Sequence, residues 1–206
     1  ELAVLDKMKT ALEAGKPART VEVTPEEEVI VKGLFLLTTK PVLYVANISE
    51  EDVMAGEDND MVKEVREFAA SEGAEVVTVS ARIEEEVADL DDEEKAEFLE
   101  EMGIEESGLD QLIQKAYTLL GLGTYFTAGE QEVRAWTFTL GMKAPQAAGI
   151  IHSDFERGFI RAETVSYDDL VSYGNMSAAK EAGRVRQEGK EYIVADGDVM
   201  LFRFNV

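Results

Sequence analysis

The side chains with the most evident chemical potential sit in two short polar turns. Asn47-Ile48-Ser49-Glu50 follows an unbroken apolar run, Val42 to Ala46, with Pro41 before it. Ser80-Ala81-Arg82 follows a second run, Glu75 to Val79. An Asn amide donates and accepts at once, so it matches N7 and the N6 amino group of adenine. A carboxylate such as that of Glu50 only accepts. A nucleobase site needs a few such groups fixed against an otherwise apolar cleft. The short pattern Asn-x-x-Glu arises often by chance, and Asn47 would equally serve to turn a chain out of a strand.

The elements that must position these groups are legible. Val42 to Ala46 reads as a buried central strand of a parallel sheet rather than a half-exposed one. A helix is expected over about Asp60 to Glu72, between the two strands. Strand, helix and strand then form a right-handed crossover with parallel strands. Both polar turns come to the carboxyl edge of the sheet, where ligands of open α/β sheets bind.

Asn47-x-x-Glu50 followed by Ser80-Ala81 resembles the base-binding turns of the P-loop GTPases. That family usually has Asn-Lys-x-Asp in the first turn; here Ile48 stands for the Lys and Glu50 for the Asp. With this departure nearly the whole chain is similar to the YchF family, or Obg-like ATPases. The resemblance is most specific over residues 127–136, over His152 to Glu163 and over residues 196–206. It implies the distal part of a P-loop NTPase parallel-sheet domain with a helical hairpin remnant, followed by a β-grasp (ubiquitin-like) TGS domain. The fold class is thus α/β plus α+β. It further implies a protein that binds and hydrolyses ATP, with GTP weaker, and that associates with ribosomes through RNA or ribosomal protein. The base-binding residues carried over are Asn47, Ile48 (through its backbone), Glu50, Ser80 and Ala81. Glu50 is one methylene longer than the usual Asp, and Ile48 offers no charge; both departures agree with the family's preference for ATP. A competing reading is a non-catalytic ribosome, RNA or protein interaction module in which nucleotide only regulates.

Phosphoryl transfer needs a phosphate cradle, a Lys and a metal. No Gly-x-x-x-x-Gly-Lys-Ser/Thr occurs in the chain, and no Asp-x-x-Gly follows a strand. In the family these parts precede the hairpin, so the chain is expected to be the C-terminal part of a larger ATPase, inactive alone, with Mg²⁺ bound outside it. No catalytic residue and no metal ligand is assigned. The single His and the absence of Cys exclude multi-His and thiolate metal sites. His152-Ser153-Asp154 is not a catalytic triad, because triad groups converge in space rather than follow in sequence.

Charge separates the two parts of the chain. Residues 1–120 hold 11 Lys and Arg against 31 Asp and Glu; residues 121–206 hold 9 against 12. The first part should repel a polyanion, and no DNA partner is expected. If RNA is touched, the second part is the better candidate. Arg134, Lys143, Arg157, Arg161, Arg184 and Arg186 are candidate phosphate contacts there, with Trp136, Phe155 and Phe159 as stacking groups. Asp154, Glu156, Arg157 and Arg161 are grouped as a surface network. No apolar run is long enough to span a bilayer, and the first residues do not read as a signal peptide. A cytoplasmic protein without a membrane partner is the expectation.

Three regions are expected: 1–37, the end of a helical insertion; 38–120, the rest of the nucleotide-binding domain; and 121–206, the TGS domain, after a break at Gly121-Leu122-Gly123. A helix over Leu2 to Ala14 is predicted to bury Leu5, Met8, Ala11 and Leu12. Thr24-Pro25-Glu26-Glu27 starts another, running to about Gly33. Acidic helices are predicted at Ile83 to Asp89, Asp91 to Met102 and, capped by Ser107, up to Leu120. In the second part strands are predicted at Thr124–Thr127, Val133–Thr139, Phe159–Val165, Tyr192–Val194 and Val199–Phe204. Helices are expected at Ala144 to Ile151, after Ser166 to about Tyr173, and after Ser177 to Gly183.

Overall fold

A computed structural model describes residues 1–129 and 132–205. Glu130 and Gln131, within the family-like segment 127–136, and Val206, at the end of the last one, lie outside the described residues. The chain divides into two compact units after Leu120.

The first unit opens with two helices, α1 (Leu2–Glu13) and α2 (Pro25–Gly33). Thr24 and Glu27 cap α2 reciprocally: each side chain meets the other's backbone N–H. The two helices share a small core of Val4, Met8, Ala18 and Val31. The buried stripe of α1 therefore runs through Val4 and Met8, while Leu5 and Leu12, expected inside, are exposed. Both stripes are compatible with a helical period; the packing of α2 chose between them. Past α2, Phe35 takes a left-handed φ of 51° and is exposed.

Next come β1 (Leu43–Asn47), α3 (Glu50–Ala55), α4 (Asp60–Ser71), β2 (Glu75–Val79), α5 (Ala81–Val87), α6 (Asp92–Glu101) and α7 (Gly108–Leu119). β1 and β2 are parallel, with Leu43 opposite Glu75 and Asn47 opposite Val79. Among the described residues the sheet has these two strands. Val45 is consequently half-exposed, which corrects the buried central strand read from its apolar run: among the described residues β1 pairs with β2 alone. Gly108 packs so closely on Val79 that a Cβ there would lie 3.0 Å from the Val79 Cα. Residues 1–37 are tied to this sheet by Arg19, whose guanidinium meets Glu72 at 2.5 Å, and Tyr44 donates to the same carboxylate oxygen at 3.2 Å.

The second unit contains β3 (Leu122–Ala128), β4 (Val133–Thr139), α8 (Ala144–Ile151), α9 (Ser153–Arg157), β5 (Phe159–Ser166), α10 (Tyr167–Tyr173), α11 (Met176–Glu181), β6 (Arg186–Glu188) and β7 (Asp198–Phe204). Its five strands run in the order β4-β3-β7-β5-β6. β3 lies parallel to β7, and the other pairings are antiparallel. The core, around Tyr125, Phe138, Phe159, Met200 and Phe202, is closed by the alanine face of α8. Tyr125 donates to the Ala147 carbonyl at 2.9 Å, which satisfies its buried hydroxyl.

Two expectations for this unit are corrected, and one strand was not anticipated. Tyr192–Val194 is not a strand: Ile193 makes one isolated bridge to Lys143, because its neighbour is the approach to α8 rather than a ladder. The three-residue β6 carries too little apolar pattern to be seen in sequence. The cap of α11 is Asn175, not Ser177, since Asn175 Oδ1 accepts from the Ala178 N–H at 2.9 Å.

Candidate functional site

Parallel pairing of β1 and β2 brings the two polar turns side by side. Asn47 ends β1, and its Oδ1 accepts the Ala81 N–H at 3.0 Å, across 34 residues of sequence. The Ile48 N–H donates to the Val79 carbonyl at 2.9 Å and extends the ladder by one bond. Four of the five candidate residues, Asn47, Ile48, Ser80 and Ala81, are thereby clustered at one strand edge. The fifth, Glu50, opens α3 and is joined to the Ser80 turn through Arg82, whose Nε lies 2.7 Å from its carboxylate.

Ser49 precedes Glu50 and caps the helix it opens. As the cap of α3 it accepts from the Asp52 N–H at 3.2 Å and donates to the Asp52 carboxylate at 2.8 Å. Asn59, which caps α4, donates to the same carboxylate at 3.2 Å. These bonds, that from Ser49 foremost, hold the Asp52 carboxyl below the usual carboxylate range. Neither Asp52 nor Asn59 stood out in the sequence. Their roles depend on α3 and α4 being closed into one turn, and no local pattern announces that.

The Ala81 N–H is taken up by Asn47, which thus caps α5 from another strand. Its Nδ2 has no partner among the described residues and remains able to donate. Ser80 stands at the N-cap of α5 but makes no capping bond. Its residue is 4% exposed, and its hydroxyl has no hydrogen-bond partner. Ser80 and Ile48 instead line a cavity of about 280 Å³ on the flank of the sheet. Arg66 borders it, paired through two nitrogens with Asp58 and donating to the Val76 carbonyl at 3.2 Å. The hydrogen bond from Arg66 holds the Asp58 carboxyl low.

In the second unit the candidate contacts disperse. The Arg134 guanidinium lies 4.1 Å above the Trp136 ring, and Trp136 donates to Thr127 at 2.9 Å. Phe159 is buried in the core, so it offers no stacking face. Phe155 stacks on Phe204 with ring centres 3.8 Å apart. Lys143 pairs with Glu191, Arg157 with Asp154, and Arg184 with Asp169 at 3.9 Å. Arg186 is held by Glu188, Tyr192 and the buried Asp198. The expected network reduces to Asp154 and Arg157: Arg161 lies across from Arg203 on the neighbouring strand. His152 accepts the Asp154 N–H on Nδ1 at 3.1 Å, the geometry of a helix cap and not of a catalytic base. Among the described residues no cluster of His, Asp or Glu has the arrangement of a metal site.

Comparison with known proteins bears on this arrangement. Residues 122–205 match the family model YchF-GTPase_C, described as a protein of unknown function (DUF933). A protein of Bacillus subtilis (strain 168) named Ribosome-binding ATPase YchF is 65% identical over 206 residues, covering 100% of this chain and 56% of that protein. Its namesake in Escherichia coli O157:H7 is 52% identical with the same coverage. A solved structure described as the Schizosaccharomyces pombe YchF GTPase superposes with a TM-score of 0.85 at 36% identity, covering 98% of this chain and 53% of that one. The fold is that of a mixed α/β protein of the YchF GTPase type. The chain belongs to the YchF family, and it spans about half the length of these relatives.

Proposed function

We propose that this chain carries the purine-reading end of a nucleotide site together with a β-grasp domain of TGS type directed at the ribosome. The observation that carries the first half is the bond from Ala81 to Asn47, at 3.0 Å. It locks two strand-end turns together and leaves the Asn47 Nδ2 to donate to a purine N7. The groups present suit a purine: one amide donor, and one carboxylate acceptor, Glu50, oriented by Arg82. In this reading ATP is preferred to GTP, because Glu50 sets its carboxylate at a different reach from an Asp. Phosphates and Mg²⁺ are held by residues outside this sequence, where hydrolysis takes place.

The sheet order supports the second half of the reading. The unit's first strand, β3, lies beside its last, β7, and α8 follows the opening hairpin, as in a β-grasp. The relatives named as ribosome-binding ATPases support a ribosomal partner and a cytoplasmic setting. Arg134 on Trp136, and Arg161 beside Arg203, are the cationic positions from which such a contact would be made.

The test is a competition titration of ATP and GTP on the full-length protein. The double variant Ile48→Lys, Glu50→Asp is expected to move the ratio of dissociation constants toward GTP by about tenfold or more, since a good bidentate contact discriminates by about 1–3 kcal/mol. An unchanged ratio would remove Glu50 from the base site.

A further inference from the structure

We propose that Arg82 is a specificity-determining residue of the base site: by holding one carboxylate oxygen of Glu50 it denies guanine the paired acceptor that guanine requires, and so favours ATP over GTP. This inference rests on the purine reading of the Asn47 and Ser80 turns. Arg82 stands in the first turn of α5, next to Ala81, whose N–H bond to Asn47 fixes the root of the Arg82 side chain beside that site. Glu50 is the first residue of α3. The Arg82 Nε lies 2.7 Å from Glu50 Oε1, and Glu86, one turn further along α5, lies 3.5 Å from the same nitrogen. The guanidinium therefore bridges two helices, and it sits nearer to the carboxylate of the other helix than to that of its own.

Stability does not account for the pair. The Arg82 side chain is 74% exposed, and ion pairs between exposed groups contribute little. Glu86 already offers Arg82 a partner four residues on along its own helix. The consequence for a ligand is different. Guanine presents two adjacent donors, the N1–H and the N2 amino group, and a carboxylate reads both by giving one oxygen to each. With Oε1 taken by Arg82, one oxygen of Glu50 remains. It suffices for a single donor, such as the N6 amino group of adenine. Guanine would keep a donor unpaired, which is costly on binding. Arg82 cannot repair the deficit, because a guanidinium carries donors and no acceptor. Adenine has no donor at N1 and no N2 amino group, so it loses nothing. The reach of Glu50 and the occupancy of its carboxylate thus act together against guanine.

The experiment is a competition titration of ATP and GTP on the full-length protein, as wild type and as Arg82→Gln, Glu50→Gln, the two combined, and Asn47→Ala. Arg82→Gln is expected to move the ratio of dissociation constants toward GTP by about threefold to fivefold, the scale of an exposed charge pair. In the Glu50→Gln background the same change should add nothing, since no carboxylate is left to release. The ratio cancels any loss common to both nucleotides, so a merely structural role of Arg82 would leave it unmoved. The proposal is overturned by an unchanged ratio in Arg82→Gln, or by an equal shift when Glu50 is already Gln. Asn47→Ala separates this inference from the reading beneath it. If Asn47→Ala weakens both nucleotides and Arg82→Gln leaves the ratio unchanged, the role of Arg82 alone falls. If Asn47→Ala leaves both affinities unchanged, the purine reading falls and this inference with it.

Discussion

Asn47 shows how one side chain serves structure and ligand together. Its carbonyl oxygen caps α5 from a neighbouring strand, and its amide nitrogen is left over. Loss of a cap costs about 0.5–2 kcal/mol, so Asn47→Ala should lower the stability of this chain by about 1 kcal/mol as well as weaken both nucleotides in the full-length protein. Urea unfolding of the 206-residue chain checks the first claim without any nucleotide present. Tyr192 makes a second residue-scale case. Its hydroxyl donates to the buried Asp198 at 2.7 Å, and Asp198 also accepts the Ala195 N–H at 2.9 Å. Burial, and then the Asp198 carboxylate, push the Tyr192 phenol up to about 12 from 10.0. The folded state therefore favours the neutral phenol. That contribution is complete below pH about 10 and is lost as the pH rises toward about 12. Thermal unfolding followed over this window should show a decline that Tyr192→Phe flattens; an equal decline in both proteins would assign it to other groups.

At the scale of elements, capping accounts for much of the local order. Ser107 is buried and exchanges two hydrogen bonds with Asp110: its Oγ accepts from the Asp110 N–H at 3.1 Å and donates to the carboxylate at 2.7 Å. The Asp110 carboxyl is held low, chiefly by that hydroxyl and then by Lys95. Ser107→Ala should cost about 1–2 kcal/mol and fray the start of α7. Amide exchange at Leu109 to Gln111 measures this, and unchanged protection there would deny the cap its role. Other elements depend on close approach. A Cβ on Gly158 would fall 2.2 Å from the Asn205 carbonyl oxygen, so the link from α9 to β5 can pass the end of the chain only as glycine.

At the scale of the molecule the two units differ in how well they close. The second wraps a five-stranded sheet around an aromatic core and needs nothing from residues 1–120 to complete it. The first rests on two parallel strands with small separate clusters about them. A two-stranded sheet is marginal by itself. Residues 121–206 are accordingly expected to fold alone and to survive limited proteolysis of the whole chain, with residues 1–120 degraded first. Mass analysis of the resistant fragment decides the matter; persistence of the N-terminal part instead would contradict this ordering of stability.

Local signals were sufficient for most elements, because caps and periodic apolar residues act over a few positions. Thr24-Pro25, Ser107 and Ser166 started the helices they were expected to start, and Val133–Thr139 and Ala144–Ile151 were legible to the residue. The YchF resemblance rested on other stretches: the two polar turns and residues 127–136, 152–163 and 196–206. What sequence left undecided was contact between distant positions. That Asn47 would take the Ala81 N–H, that Ser80 would be buried without a partner, and that Phe159 would be core while Trp136 carried Arg134 all follow from strand pairing and packing. The α1 stripe and the exposure of Val45 were decided in the same way. Periodicity states which faces a segment can bury, and only the neighbours that arrive in space determine which one it does.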